Sequence, residues 1–190
     1  MGYFPLFMDI SNKTVFIVGD TPAAKEKRQR LEPFGPMLRL FPAGLTEADL
    51  EESPVFVVAA LADREENRRI SALCRRQRIP VNVVDDPELC TFYFPALITR
   101  GDLTVGISTS GKSPAAAVIL KQQMQALIPA DMDAILDWAQ ALRQQLSVEL
   151  PDFQTRAAFL RQALSESIQL GRPLSEQEVD KLRGTEVSGR

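Results

Sequence analysis

The stretch that decides the fold of this chain runs from Thr14 to Ala24 and reads T-V-F-I-V-G-D-T-P-A-A. Its first five residues are β-branched or aromatic and end at a glycine, a pattern typical of a buried strand. Thr21 and Pro22 then suit the N-cap and the first position of a helix. A strand that turns directly into a helix is the first half of a β-α-β unit, from which parallel sheets are built.

The same alternation continues through the first half of the chain. The pattern predicts further strands at 37–41, 55–59 and 81–84, and helices at 22–35, 47–51 and 64–77. This order predicts an α/β fold, a Rossmann-type parallel sheet with helices on both faces. Gly101 and Asp102 separate two further apolar runs, and we expect these runs to form an antiparallel hairpin at the edge of the sheet.

The character of the sequence changes after residue 112. Ser113 and Pro114 suit the start of a strongly helical stretch. The pattern predicts helices at 115–127, 132–150 and 153–170, and a short last helix after Ser175. We therefore divide the chain into a Rossmann-type, NAD-binding-like domain at 1–112 and an all-helical region at 113–190.

Composition excludes several classes of function. The 190 residues are 45% hydrophobic and 25% charged, which suits a globular protein with a core. The net charge of −3 argues against binding to nucleic acid. No stretch is long and apolar enough to span a bilayer, and the first residues lack the pattern of a signal peptide. We therefore expect a cytoplasmic protein with no membrane partner.

Histidine is absent, and the two cysteines, Cys74 and Cys90, lack the spacing of metal ligands. Zinc sites are built largely from histidine and cysteine, so we expect no metal site in the protein itself. Both cysteines are expected to be reduced thiols. Any proton transfer must then rest on carboxylates, hydroxyls, lysines or water.

Two basic runs fall on predicted helices. Their residues are Lys25, Lys27, Arg28 and Arg30 in the first, and Arg75, Arg76 and Arg78 in the second. A solvated helix face is the simpler interpretation of both runs. A pocket for a ligand with several carboxylates is the alternative.

The turn after the first strand is where a dinucleotide would place its pyrophosphate, in a G-x-G-x-x-G/A loop. Gly19 and Ala24 match the first and last positions of that loop. Thr21, however, stands at the middle glycine, where the backbone must approach the ligand closely. Asp20 adds a negative charge, and the second strand runs into F-P-A-G at 41–44 with no acid for the ribose.

The candidate cofactor-binding residues are those of this loop and of the end of the second strand: Gly19, Asp20, Thr21, Pro22, Ala23, Ala43 and Gly44. On spacing alone, Gly19 serves equally well as a residue that merely turns the chain. Since Thr21 crowds the loop, we expect NAD to bind weakly or not detectably.

A second candidate site follows the fourth predicted strand. Asp85 comes directly after this strand, at the carboxyl edge where ligands of such sheets bind. A carboxylate at this edge is able to accept a proton from a substrate. The alternative is that Asp85, Asp86 and Pro87 simply form a turn, because these residue types favour turns. We assign Asp86 to the turn.

Five short segments carry a more specific signal. They are Y-F-P-L-F at 3–7 leading into K-T-V-F-I-V-G at 13–19, A-A-L-A-D at 59–63 with Asn67, V-N-V-V-D at 81–85, F-Y-F-P at 92–95 and I-S-T-S-G-K-S-P at 107–114. In order and spacing they resemble the precorrin-2 dehydrogenase / sirohydrochlorin ferrochelatase family, which includes the front half of siroheme synthase. The resemblance covers about residues 3 to 129. Leu61 departs from the family's usual threonine.

The resemblance implies a catalytic step and a site. The step is NAD-dependent oxidation of precorrin-2 to sirohydrochlorin, and some members also insert Fe²⁺ or Co²⁺ as a substrate metal. The family's key acid transfers to Asp85 as the catalytic residue. The implied substrate-binding residues are Asn82, Ser108, Thr109, Ser110, Gly111 and Lys112. For 108–112 a polar loop that caps the next helix is an equally good interpretation, and Lys112 is then simply solvated.

The resemblance also implies partners. The helical region at 113–190 is expected to form a homodimer and to contribute to tetrapyrrole binding. A separate uroporphyrinogen methyltransferase would supply the substrate. Because the loop after the first strand is degenerate, two alternatives stay open: a family member that acts only as a chelatase, and a non-catalytic subunit that binds or regulates tetrapyrrole.

Overall fold

The computed structural model of the chain describes residues 4–187, so Tyr3 of the opening segment lies outside the described residues. The chain forms two compact units that divide between Phe94 and Pro95. The predicted functional division after residue 112 stays a prediction.

The first unit alternates strands and helices as predicted. Its elements are β1 (Thr14–Val18), α1 (Pro22–Leu31), β2 (Met37–Phe41), β3 (Val57–Ala59), α2 (Arg64–Arg76) and β4 (Val81–Val83). Short 3-10 turns lie at Glu32–Phe34, Ala48–Glu52 and Pro87–Leu89. Both β3 and β4 are shorter than predicted, and β4 ends one residue early because Val84 enters a turn.

The four strands form one parallel sheet in the order β2-β1-β3-β4. After β1 the chain passes to β2 on one side, and it then crosses over to β3 on the other side of β1. Ligands of open parallel sheets bind outside the carboxyl ends of the strands where this reversal occurs. The fold class is therefore confirmed, and the topology points to the β1–β3 edge as the ligand site.

The sheet is buried on both faces. Along β1, Phe16 and Val18 pack with α2 residues, whereas Val15 and Ile17 pack with α1 residues on the opposite face. Successive side chains of a strand point to opposite faces, so a continuous apolar run fills both cores. This packing holds the carboxyl ends of β1, β3 and β4 in fixed register.

The outer edge of β4 is closed by the segment that follows it. Val81 accepts a hydrogen bond from Thr91 N–H and donates one to the Thr91 hydroxyl, both at 2.8 Å. Val83 N–H donates to Cys90 Sγ at 3.2 Å, and that thiol donates back to the Val83 carbonyl at the same distance. The backbone N–H and C=O groups on the outer edge of β4 thus have hydrogen-bond partners without a further strand.

The predicted hairpin forms, but it does not join this sheet. Strands β5 (Ala96–Arg100) and β6 (Leu103–Ile107) pair antiparallel as a separate two-stranded sheet in the second unit. The expected position at the edge of the parallel sheet is wrong because Cys90 and Thr91 already occupy the outer edge of β4.

The rest of the second unit is helical, as predicted. Its helices are α3 (Pro114–Leu127), α4 (Met132–Glu149), α5 (Phe153–Leu170) and α6 (Glu176–Val187). Residues of α4, α5 and α6 form one core around Leu146 and Phe159. No described helix is both long enough and apolar enough to cross a membrane.

Helix α3 differs from its neighbours because none of its residues is buried. Its exposed apolar side chains are Val118, Ile119, Leu120, Met124 and Leu127. The helical region that is expected to form a homodimer also includes α4, but Ile135, Leu142 and Leu146 of this helix are buried within their own unit. These three are not available to a partner.

Candidate functional site

A cleft of about 290 Å³ opens at the carboxyl ends of β1, β3 and β4. Its walls are Thr21, Pro22 and Ala23 after β1, Ala60 and Leu61 after β3, and Val84 and Asp85 after β4. We call it the first cleft. It lies at the reversal point of the sheet, where a Rossmann-type fold binds its nucleotide.

Gly19 begins the loop that forms one wall of this cleft. Its φ is +115°, and a Cβ at this position would lie 2.5 Å from the carbonyl oxygen of Ala60. Only glycine combines that backbone angle with such a close approach. Packing against the end of β3 is sufficient reason for this glycine, whether or not a nucleotide binds.

The helix that follows keeps few N–H donors for a ligand. Pro22 stands at the first helical position and has no N–H. Thr21 caps the helix by accepting a hydrogen bond from Ala24 N–H at 3.2 Å, and its hydroxyl donates to the Ala60 carbonyl at 2.8 Å. No hydrogen bond within the described part of the chain engages Ala23 N–H. The cleft lies where a dinucleotide would bind. Within the first turn of α1, Ala23 N–H is the donor that remains for the phosphates of such a ligand.

The charges around the loop are carried by Asp20 and Lys25, which form an exposed ion pair of 3.1 Å. At the end of β2, Ala43 is exposed and Gly44 has a φ of +143°. The carboxylate nearest to Gly44 belongs to Glu66 of α2, and Arg69 neutralises it. Arg69 also holds the pKa of that carboxyl below its usual value. A carboxylate is therefore present near the end of β2, where a dinucleotide would place its ribose. It comes from α2, for which the sequence pattern did not predict such a role.

Asp85 occupies a tight turn after β4. Asp86 N–H donates to the Val83 carbonyl at 3.4 Å, and Asp85 has a φ of +60°, in the left-handed region that aspartate tolerates better than most residues. The side chain is exposed, and no hydrogen bond or ion pair among residues 4–187 involves its carboxylate. The turn and the functional interpretations are thus compatible, because the turn itself presents Asp85 to the cleft.

Asp86 has a different environment. Its side chain is 10% exposed and accepts a hydrogen bond from Arg64 Nε at 2.8 Å. The adjacent aspartates therefore differ: Asp86 ties the turn to α2, and the Asp85 carboxylate has no partner among residues 4–187.

A second cleft, of about 190 Å³, shares Val84 and Asp85 with the first. Its other lining residues are Lys27, Asn82, Val83, Asp86, Pro87, Cys90, Tyr93 and Phe94. Asn82 is buried, and its amide nitrogen donates to the Phe92 carbonyl at 3.1 Å. Asn82 thus holds the segment that forms a wall of the cleft, and its direct contact with substrate stays a prediction.

Lys27 was missed as a cleft residue, although the sequence carried a signal for it. Ala24 and Leu31 are the buried residues of α1, and Lys27 lies three residues after the first and four before the second. That spacing puts Lys27 on the buried stripe of the helix. The solvated interpretation of the first basic run holds for the exposed Lys25 and Arg28, and it is wrong for Lys27.

Asn67 explains one of the family-like segments. Its side chain is buried and brackets the backbone of Leu61, accepting from the N–H at 3.1 Å and donating to the carbonyl at 2.8 Å. Asp63 caps α2 by accepting from Glu65 N–H at 2.9 Å. These two residues fix the shape of the wall that Leu61 forms in the first cleft.

The predicted substrate residues 108–112 belong to the second unit, in the loop between β6 and α3. Thr109 and Ser113 exchange hydrogen bonds, and Ser110 N–H donates to the Ser108 hydroxyl at 3.2 Å. Ser110 and Gly111 have positive φ angles, and Lys112 is exposed. The loop is therefore a built turn that leads into the cap of α3, and its contact with substrate stays a prediction.

The described residues contain no group of three histidine, cysteine or carboxylate side chains placed to hold a metal ion. Burial raises the pKa of the Cys74 thiol to about 11, and it also raises the pKa of Cys90. Neither thiol is therefore a ready nucleophile or metal ligand at neutral pH.

The fold and the two clefts define a Rossmann-type α/β protein, and comparisons with known proteins agree. Residues 37–96 match the family model described as putative NAD(P)-binding, and residues 100–127 match the model described as sirohaem biosynthesis protein central. The first match begins at β2, beyond the loop that contains Thr21.

Related proteins and a solved structure indicate which kind of Rossmann-type protein this chain is similar to. Siroheme synthase of Thioalkalivibrio sulfidiphilus is 32% identical over 86% of this chain, and siroheme synthase of Azotobacter vinelandii is 31% identical over 96%. These matches span 37% and 43% of the relatives, so the chain covers about two fifths of their length. The structure titled SirC, precorrin-2 dehydrogenase has the same fold, with a TM-score of 0.68, 17% identity and coverage of 96% of this chain and 98% of that one.

Over most of its length the chain is therefore similar to one part of the siroheme synthases.

Proposed function

We propose that this protein oxidises precorrin-2 to sirohydrochlorin with NAD(P)⁺ as the hydride acceptor. The observation that carries the proposal is the position of Asp85, whose unpartnered carboxylate lines both clefts at the reversal point of the sheet. The similarity to siroheme synthases and the match to a putative NAD(P)-binding model support the same reaction.

In this proposal each cleft has one ligand. The first cleft takes the nicotinamide cofactor, with Gly19 and Ala23 beside its phosphates. The second cleft takes the edge of the tetrapyrrole. Because Asp85 lines both clefts, its carboxylate faces the region where the two ligands meet.

The chemistry assigned to the chain is proton transfer. Oxidation removes a hydride and a proton from the macrocycle, and bound NAD(P)⁺ supplies the acceptor for the hydride. Asp85 accepts the proton, and the chain has no histidine to take this role. The Arg64 pair of Asp86 anchors the turn, so the Asp85 carboxylate is presented at a constant position.

The cofactor is expected to bind weakly. A phosphate at this helix N-terminus has Ala23 N–H as a donor, because Pro22 has none and Ala24 is capped by Thr21. Asp20 also repels an anionic ligand. We therefore expect low affinity, with binding supported mainly by the shape of the cleft.

The small number of phosphate donors in the loop after β1 favours a second candidate function. A family member that has lost its nucleotide would still hold a tetrapyrrole, and Asp85 would then take protons from pyrrole nitrogens as Fe²⁺ or Co²⁺ enters as substrate. A non-catalytic tetrapyrrole-binding subunit is the further alternative, and the unpartnered Asp85 carboxylate argues against it.

Anaerobic assays separate these functions. Precorrin-2 absorbance is followed with NAD⁺ and with NADP⁺, and sirohydrochlorin absorbance is then followed with Fe²⁺ or Co²⁺. Nucleotide-dependent formation of sirohydrochlorin supports the dehydrogenase. Metal insertion alone supports the chelatase, and the absence of both reactions in a protein that binds tetrapyrrole identifies a non-catalytic subunit.

A further inference from the structure

Lys27 is an unusual lysine for the second turn of a surface helix. Its side chain is 15% exposed, whereas that of Lys25 on the same helix is 61% exposed. Lysine normally keeps its ammonium in water, and burying the charge costs free energy unless a partner compensates. The protein thus holds a lysine side chain, largely shielded from solvent, in the wall of the second cleft.

The partners of this ammonium are weak. Its carboxylate neighbour is Glu26 at 3.4 Å, a side chain that is itself 64% exposed. The ammonium also lies 5.6 Å from the centre of the Phe94 ring, which gives a modest cation–π attraction. Solvent screens the contact with Glu26, so the Lys27 ammonium retains capacity for a further anion.

Phe94 is well placed to support such an anion site. Its ring packs with Phe56 and Phe92 at centroid distances of 6.2 and 5.3 Å. Arg30, one turn after Lys27, also lies over this ring, at 5.8 Å, and burial lowers the pKa of its guanidinium. Two cations of one helix thus approach one aromatic ring, and an anion bound beside them would relieve their repulsion.

Neither aspartate of the second cleft forms an ion pair with Lys27, so its ammonium is available to a ligand. Asp86 is paired with Arg64, and Asp85 has no partner among residues 4–187. The second cleft therefore combines a carboxylate suited to proton transfer with a lysine whose ammonium is suited to anion binding. A ligand that fits both has a protonated centre and acidic substituents.

We propose that Lys27 is a specificity-determining residue of the second cleft, whose ammonium binds a peripheral carboxylate of the tetrapyrrole. This inference rests on the proposed function, because it takes the ligand of this cleft to be the macrocycle. The Phe94 ring lies beside the lysine ammonium, and Asn82 holds the segment that carries the ring.

The test is direct binding of uroporphyrin, a stable porphyrin with carboxylates around its rim, measured by fluorescence at low and high salt. Lys27→Met keeps an unbranched apolar stem and removes the charge, and we expect it to weaken binding by about ten- to hundredfold at low salt. It should also flatten the salt dependence, because one screened ion pair is lost. Lys27→Arg should stay within about threefold of the parent.

The matched control is Lys25→Met on the same helix, which should bind uroporphyrin as the parent does. If Lys27→Met fails to fold by circular dichroism, Lys27→Gln carries the same comparison. A parent that binds and a Lys27→Met or Lys27→Gln variant that binds equally well would overturn the role of Lys27 and leave the proposed function intact. A parent that binds no uroporphyrin would overturn tetrapyrrole binding itself, and the Lys27 inference with it.

Discussion

The loop after β1 and the turn after β4 lie at the same end of one sheet, yet they use their polar groups in opposite ways. In the loop, the Thr21 hydroxyl is engaged by Ala60 and Ala24, and Pro22 contributes no N–H. In the turn, Asp86 is engaged by Arg64 and thereby leaves the Asp85 carboxylate without a partner. The loop resembles a nucleotide site in its sequence pattern, whereas the turn leaves a carboxylate without a partner at both clefts.

The comparison shows that the function of a segment at a strand end is best inferred from the polar atoms that the fold leaves without a hydrogen-bond partner. Gly19 matches the first position of a dinucleotide loop, but its packing on Ala60 already accounts for it. Asp85 looks like an ordinary turn residue, but its carboxylate is exposed to both clefts.

The largest expected effect separates the two adjacent aspartates. Asp85→Asn removes the carboxylate and keeps a residue that tolerates a positive φ, so we expect the rate of precorrin-2 oxidation to fall by about 10² to 10⁴. Stability should change by less than about 0.5 kcal/mol. Anaerobic kinetics and thermal unfolding measure the two quantities.

Asp86→Asn is the matched control for this variant. It breaks the pair with Arg64, and we expect a lower unfolding midpoint with a much smaller loss of rate. Equal rates for Asp85→Asn and the parent would leave Asp85 as a turn residue only.

The second effect concerns the loop as a structural element. Gly19→Ala forces a Cβ against the Ala60 carbonyl at a φ of +115°, and we expect it to destabilise the protein by about 2–3 kcal/mol. Urea unfolding in the absence of nucleotide measures this loss. A variant as stable as the parent would mean that Gly19 serves the cofactor rather than the packing.

The third prediction extends the comparison from polar to apolar groups. The apolar side chains that α3 leaves exposed point to a partner, and we propose that a second copy of the chain covers them as a homodimer. Leu127 is 80% exposed, and Leu127→Glu should weaken the dimer by about 2 kcal/mol. Leu40→Glu on β2 is the control. A monomeric parent in light scattering at micromolar concentration would contradict the proposal.

The smallest effect concerns the cofactor. Replacing Asp20 and Thr21 together by glycine removes a repelling charge and frees Ala24 N–H, so NAD⁺ should bind more tightly by about 1 kcal/mol for each polar contact regained. Calorimetric titration measures the change. Asp20→Gly with Thr21→Ala, which keeps a Cβ, tests the crowding separately. Tight binding by the parent would show that Thr21 does not obstruct the site.

The elements that local patterns encode were predictable. The β-branched runs, the caps at Thr21 and Ser113, and the last helix after Ser175 all appear as expected. Each of these signals depends on residues within one turn or strand of each other.

The features that were missed depend on contacts between distant segments. The edge of β4 is closed by Cys90 and Thr91, and no alternation pattern announces such a closure. The Thr21 hydroxyl donates to the carbonyl of Ala60, which follows β3, so its effect on the loop was visible only in three dimensions. Lys27 was in principle predictable from its position between Ala24 and Leu31, but its charge favoured the solvated interpretation.

The closed edge of β4 also bears on how the protein is made. A ribosome releases the chain from its N-terminus, and domains usually fold as units in that order. Because Cys90 and Thr91 complete the outer edge of β4, this edge needs no partner from the hairpin or the helices. The nascent protein thus exposes no open β4 edge to neighbouring chains while its second half is still being translated.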